Sequence, residues 1–131
     1  MSRALDKADV IYVTGGNTYY LLERSKKSGF LDVVKNKISS GAFYFGCSAG
    51  AVLSSPRIDF IEDMDDPSLG DIDGYSALSL TDFLILPHLD HEKYGPKARA
   101  IASKLKSKDE KIMGLRDDQG VYIEDNFVQI F

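Results

Sequence analysis

Only one cysteine, Cys47, occurs in 131 residues. No internal disulfide framework is therefore available, and a reducing, cytoplasmic compartment is expected. Histidine is almost as scarce. His88 and His91 are the only two, which confines any imidazole chemistry to one short stretch. No apolar run approaches the ~20 residues that a membrane helix needs, so no membrane partner is expected. Met1 to Val10 has no long apolar run and carries Asp6 and Asp9, so it does not read as a signal peptide. Basic residues are outnumbered 16 to 20, with a formal net charge of -4, which argues against nucleic acid as a partner. The small clusters Lys26-Lys27 and Lys104 to Lys111 fall in helix-like stretches and read as solvated faces. Repeats and low-complexity segments are also missing. What is present is 44% apolar and 27% charged residues, the balance of one globular domain spanning residues 1–131.

The chain reads as short strands alternating with helices. Val10 to Val13 is a compact β-rich run that stops at Thr14-Gly15-Gly16-Asn17. Helical spacing follows over Thr18 to Ser28, with Tyr19, Leu22 and Lys26 along one side and Gly29 as its stop. A second helix fits Leu31 to Ser39. Ala42 to Phe45 is the next strand, and Ala49 to Ser54 can begin a helix. Pro56 to Tyr75 is acidic and carries several glycines, and it reads as a long, weakly structured excursion. Phe83 to Leu86 is a third strand, Lys97 to Lys106 a helix, and Lys111 to Leu115 a fourth strand. Gly120 to Glu124 and Phe127 to Phe131 form a terminal hairpin. Strands that are apolar throughout and alternate with helices imply a parallel sheet covered on both faces. In such sheets functional residues gather at the carboxyl ends of the strands. Gly15-Gly16-Asn17, Ser48, His88 and Asp117 all fall there.

Gly46-Cys47-Ser48-Ala49-Gly50 has the Gly-x-Ser-x-Gly pattern of a nucleophile elbow, set between a strand and a helix. The serine sits on a sharp turn that presents its hydroxyl, and the flanking residues must be small for the turn to close. The same residues would otherwise be a glycine-rich turn without chemistry. Cys47 stands one residue before the central position and is expected to pack beside the turn; a thiol enzyme using it is the competing reading. A serine nucleophile needs an imidazole within hydrogen-bond reach. His88, fixed by a strand and by Pro87, is better held than His91 in the polar stretch Asp90-His91-Glu92. A third group must orient that imidazole. Asp117 and Asp118 follow the fourth strand and are best placed, although Arg116-Asp117-Asp118 reads equally as an exposed polar turn. A metal site built from His88, Asp90 and His91 lacks a third strong ligand at the usual spacing, and no metal is expected.

Four segments in this order resemble the peptidase E and cyanophycinase family of serine peptidases. They are Asp9-Val10-Ile11-Tyr12-Val13-Thr14-Gly15-Gly16-Asn17-Thr18, Gly46-Cys47-Ser48-Ala49-Gly50, Leu86-Pro87-His88 and Gly114-Leu115-Arg116-Asp117-Asp118. The resemblance covers nearly the whole chain. It implies an α/β fold, a three-layer sandwich around a parallel sheet of the class I glutamine amidotransferase-like type, here without N-terminal strands and with a C-terminal β-hairpin. It implies Ser48 as nucleophile, His88 as base and Asp117 as the orienting acid, where peptidase E has a glutamate; Asp118 is the reserve. Gly16 and Ala49 would supply oxyanion N–H groups, with Asn17 beside them at the substrate. No cofactor is implied. The substrates of the resembled family are small, either dipeptides with an N-terminal aspartate or the aspartate-arginine polymer cyanophycin.

The resemblance also departs in one respect: family members carry strands and a helix ahead of the Asp-Val-Ile-Tyr segment. This chain is then expected to be a fragment or truncated product, or to take the missing sheet from another chain, as in a homo-oligomer. The expected activity is hydrolysis of small peptides through an acyl-enzyme. The alternative is an inactive remnant acting as a binding or assembly module.

Overall fold

The computed structural model describes residues 2–131. Its elements are α1 (Ser2–Leu5), β1 (Val10–Val13), α2 (Thr18–Lys27), α3 (Phe30–Ser39), β2 (Phe43–Gly46), α4 (Ala49–Leu53), β3 (Leu84–Leu86), α5 (Gly95–Ser107), β4 (Ile112–Gly114), β5 (Val121–Glu124) and β6 (Phe127–Ile130). Short 3₁₀ turns occupy Asp59–Ile61 and Pro67–Leu69. The strand and helix positions expected from the sequence match these within one or two residues, apart from the short α1. No helix among the described residues is long and apolar enough to cross a membrane.

The fold is α/β with parallel strands, and its strands divide into pairs. β1 pairs with β2 in parallel, Val10 opposite Phe43 and Val13 opposite Gly46. β3 pairs with β4 in parallel, Leu84 opposite Ile112 and Leu86 opposite Gly114. The hairpin β5–β6 is antiparallel and turns at Asp125, whose φ is 50°. No ladder joins the two parallel pairs among the described residues. At the edge of β3 the Ile85 N–H instead donates to the buried Ser55 Oγ, 2.9 Å away. A backbone donor in the interior must find an acceptor, and here a side chain supplies what a neighbouring strand would.

A single apolar core nevertheless spans both pairs. It takes Ile11 and Val13 from β1, Leu22 from α2, Val34 from α3, Val52 and Leu53 from α4, Leu84 and Leu86 from β3, and Ala98, Ile101 and Leu105 from α5. Burying each aliphatic side chain of this kind stabilises by about 1.5–3 kcal/mol before entropy is counted. α4 is the hinge-pin of this arrangement, because it packs against β1, β2 and β3 together.

Two expectations need correction. The sheet is not covered on both faces throughout. β3 is buried on both sides, but Val10, Tyr12, Phe43 and Phe45 leave one face of β1–β2 open, with Phe43 and Phe45 about 60% exposed. Strand alternation puts these four on the side away from the core. The stretch 56–75 is also no loose excursion. Ile58, Phe60 and Ile61 are buried in the core, and the Ile58 N–H donates to the Tyr75 carbonyl while the Ala77 N–H donates to that of Pro56. Glu62, Asp63, Asp66, Asp71 and Asp73 are exposed while the buried apolar residues anchor it.

Candidate active site

The carboxyl ends of β1, β2, β3 and β4 converge on one cleft, as the rule for parallel sheets requires. β2 runs into the elbow. The Cys47 N–H extends the ladder by donating to the Val13 carbonyl at 2.9 Å. Ser48 then takes φ 55° and ψ -115°, a left-handed conformation that costs a non-glycine residue about 1–3 kcal/mol and persists only where the surroundings enforce it. They do so here. A Cβ on Gly46 would lie 2.4 Å from the Gly50 carbonyl oxygen, and one on Gly50 would lie 2.1 Å from that of Val13. Both positions therefore admit only glycine. Tyr44 ties strand to helix, its hydroxyl donating to the Gly50 carbonyl at 2.6 Å. Burial pushes that phenol well above its ordinary pKa.

β3 delivers the imidazole. Past Pro87, His88 takes φ 69°, and its Nε2 lies 3.0 Å from Ser48 Oγ. Its Nδ1 lies 2.6 Å from Asp117 Oδ1. β4 supplies that aspartate. The Leu115 N–H donates to the Leu86 carbonyl at 2.9 Å, and the Leu89 N–H donates to that of Leu115 at 3.0 Å. These bonds tie the two loops together. Asp90 Oδ1 accepts from the Asp117 N–H at 2.8 Å. Ser48, His88 and Asp117 thus form one continuous hydrogen-bonded row.

The rivals are placed elsewhere. Asp118 turns outward to Arg116, with Oδ1 accepting from Nε at 3.0 Å. That ion pair holds the Asp118 carboxyl below its usual range. The Nδ1 of His91 accepts from the Lys93 and Tyr94 N–H groups at 3.1 and 3.2 Å, so it organises the start of α5. Its ring stands edge-on to His88, centroids 5.4 Å apart. Cys47 is exposed and free, not packed beside the turn as expected. Alternation along β2 sends it to the open side. No three His, Cys, Asp or Glu among the described residues are placed to hold a metal ion.

Gly16 and Ala49 both border the cleft. Neither backbone N–H has a protein acceptor among the described residues; for Ala49 this follows from its place in the first turn of α4. Gly15 packs close behind, where a Cβ would come within 3.2 Å of Ser48 Cβ. Asn17 serves the fold. Its Oδ1 caps α2 by accepting from the Tyr20 N–H at 2.9 Å, and its Nδ2 donates to the Asp66 carbonyl at 3.0 Å. Two residues that the sequence did not single out also belong to the cleft. Tyr94 stacks near His88 at 5.6 Å between centroids, and Asp65 accepts from both the N–H and the hydroxyl of Thr18. Nothing local in the sequence marks either, since both reach the cleft through tertiary packing.

The family model for peptidase family S51 matches residues 1–131. An uncharacterized peptidase of Listeria innocua is 44% identical over 92 residues, covering 70% of this chain and 44% of that protein. An uncharacterized peptidase of Listeria monocytogenes is 36% identical over 120 residues, covering 91% and 58%. Peptidase E of Salmonella newport is 42% identical over 85 residues, covering 65% and 36%. A solved structure from Listeria monocytogenes EGD-e, described as a candidate peptidase E protein, superposes with a TM-score of 0.91 at 33% identity, covering 99% of this chain and 62% of that one. The chain spans between 36% and 58% of the lengths of these curated relatives.

Proposed function

The chain belongs to peptidase family S51, and on that premise we propose that it hydrolyses short peptides as a serine-type peptidase, with Ser48 as nucleophile, His88 as base and Asp117 as the orienting acid. One observation carries the reading: Ser48 Oγ, His88 Nε2, His88 Nδ1 and Asp117 Oδ1 stand in line at 3.0 and 2.6 Å, the reach that proton transfer requires. His88 Nε2 takes the hydroxyl proton as Oγ bonds to the peptide carbonyl carbon. Asp117 keeps the Nδ1 proton in place and stabilises the imidazolium. The negative oxygen forms beside the free N–H groups of Gly16 and Ala49, donors fixed before the reaction begins. The C–N bond then breaks, and His88 returns its proton to the departing amine. Water, deprotonated by the same ring, splits the acyl-ester and restores Ser48. Asn17 contributes by holding the Gly16 loop against Asp66.

The cleft's cavity is about 180 Å³, below the ~300–1,000 Å³ of pockets that take drug-sized ligands. That size suits one side chain of a short peptide. The lone, free Cys47 suits a reducing, cytoplasmic setting. Labelling with a fluorophosphonate tests the assignment. Modification of Ser48 that disappears in Ser48→Ala and persists in Cys47→Ala is the expected result. Folded protein that takes no label sinks it.

A second reading is an inactive remnant that keeps the motifs without the alignment catalysis needs and acts, if at all, as a binding or assembly module. The open face of β1–β2 favours it, since an error of about 1 Å at the site costs ~10²-fold in rate. Folded protein that takes no label and hydrolyses no peptide is its signature.

A further inference from the structure

Asp90 fills a rung that the backbone gives up. β3 and β4 run in parallel, and their ladder continues one residue past β4, where the Leu115 N–H donates to the Leu86 carbonyl at 2.9 Å. Two residues further, the same pattern would bring the Asp117 N–H to the His88 carbonyl. His88, however, has a φ of 69°. The chain folds back on itself there, and the His88 carbonyl accepts from the His91 N–H at 3.2 Å. The turn that aims the imidazole at Ser48 thus removes the acceptor for the next donor beyond β4. Asp90 Oδ1 supplies it, 2.8 Å from the Asp117 N–H.

Little else fixes Asp117. Its carboxylate reaches His88 Nδ1 at 2.6 Å, and its side chain is 43% exposed. Among the described residues its backbone makes no other hydrogen bond. The loop that carries Asp90 is firmly seated. The Leu89 N–H donates to the Leu115 carbonyl, and Arg99 Nη1 donates to the Leu89 carbonyl at 2.6 Å. The Leu89 side chain covers Gly114, where a Cβ would come within 2.7 Å of Leu89 Cδ1. Apart from the bond between His88 and Asp117 itself, Asp90 carries the one hydrogen bond between these loops that depends on a side chain, among the described residues.

We propose that Asp90 is a positioning residue for the row Ser48, His88 and Asp117. Its carboxylate oxygen replaces the lost His88 carbonyl, fixes the Asp117 backbone and so keeps the Asp117 carboxylate on His88 Nδ1. It works through Asp117 and not on the reacting atoms. The role needs an oxygen acceptor and not a charge, because a backbone N–H asks only for a lone pair. The inference rests on the peptidase reading for its effect on rate, but not for its effect on the imidazole.

His88 Nδ1 faces the Asp117 carboxylate and so donates, whereas His91 Nδ1 accepts from two backbone N–H groups. The two rings are therefore opposite tautomers. Long-range proton–nitrogen correlation NMR at pH about 8.5, above the ordinary imidazole pKa, reads both through carbon-bound protons, with His91 as internal reference. Asp90→Ala should move the His88 pattern toward that of Asp117→Ala. Asp90→Asn, which keeps an oxygen in the same place, should restore it. Fluorophosphonate labelling of Ser48 should slow about 10- to 100-fold in Asp90→Ala, the scale of a misplacement of ~1 Å, and recover in Asp90→Asn. In an Asp117→Ala background, Asp90→Ala should add nothing further, since coupled residues do not act additively.

An unchanged His88 pattern in Asp90→Ala overturns the proposal. So do additive losses in the double variant, or an Asp90→Asn that fails as Asp90→Ala does, the mark of a charge acting directly on the ring. A loss that follows a fall in the unfolding midpoint marks a merely structural role and overturns it as well. A shifted His88 pattern in protein that takes no label in any form removes the peptidase reading and leaves the positioning role. Normal labelling with an unmoved pattern does the reverse.

Discussion

The two parallel strand pairs bring different goods to the cleft under different protection. β3–β4 delivers His88 from a strand whose three residues are all buried and Asp117 from one that is half-buried throughout. β1–β2 delivers Gly16 and Ser48 from strands that hide only alternate residues and turn Val10, Tyr12, Phe43 and Phe45 outward. No hydrogen-bonded ladder links them among the described residues, yet the 3.0 Å contact from Ser48 to His88 spans the divide. What aligns the halves is α4, packed on both, with the Ser55 hydroxyl that receives the Ile85 N–H just beyond it. The lesson is that a candidate site shared between two strand pairs can be registered by side-chain packing and one polar tie, where a continuous sheet would use its ladder.

Variants can break this contrast at several levels. The largest effect is expected at the β4 end. Asp117→Asn should lower kcat for hydrolysis about 10⁴-fold by upsetting the His88 tautomer, roughly 5 kcal/mol of transition-state stabilisation. Asp118→Asn, which loses only the exposed pair with Arg116, should stay within about twofold. Steady-state kinetics of the two variants side by side checks both. Next comes the buried pair: Leu86→Ala should cost about 2–5 kcal/mol in denaturant unfolding, the range for emptying a packed aliphatic site. Ser55→Ala removes the acceptor of a buried donor and should cost about 1–3 kcal/mol. It should also slow fluorophosphonate labelling, because the alignment of the halves weakens; unchanged labelling would show that packing alone sets the register. The smallest effect is expected on the open face. Phe45→Thr should alter the unfolding free energy by no more than about 0.5 kcal/mol, as befits an exposed site. A loss comparable to Leu86→Ala would mean that this face is covered in solution and would dissolve the contrast.

Much of the candidate site was legible before folding was considered. The elbow is a local matter: small residues at 46, 49 and 50 are demanded by a turn that must close, and the turn sits inside five consecutive positions. With only two histidines in the chain, the choice of His88 rested on Pro87 and a strand end, both local features. Asp117 against Asp118 was harder, because adjacent residues in a turn differ only in where their side chains aim. The hydrogen bond from the Asp117 N–H to Asp90 and the pull of Arg116 on Asp118 set those directions, the first across 27 positions and the second through turn geometry. The acidic stretch after Pro56 read as loose because its charges dominate the composition, whereas three apolar residues decide its placement. Cys47 read as packed beside the turn because it stands one residue before the elbow's centre, but strand alternation points it outward.

Residue type and order by themselves determined the strand and helix positions and the strained serine turn, and they nominated His88 as its partner, since these follow from short-range sterics and periodicity. Tertiary structure alone decided that the strands would divide into pairs, that one face would remain open and that Asp65 would stand in the cleft. Those outcomes depend on which distant surfaces meet, and contact between distant surfaces is settled by the packing of the whole core, which no local pattern encodes.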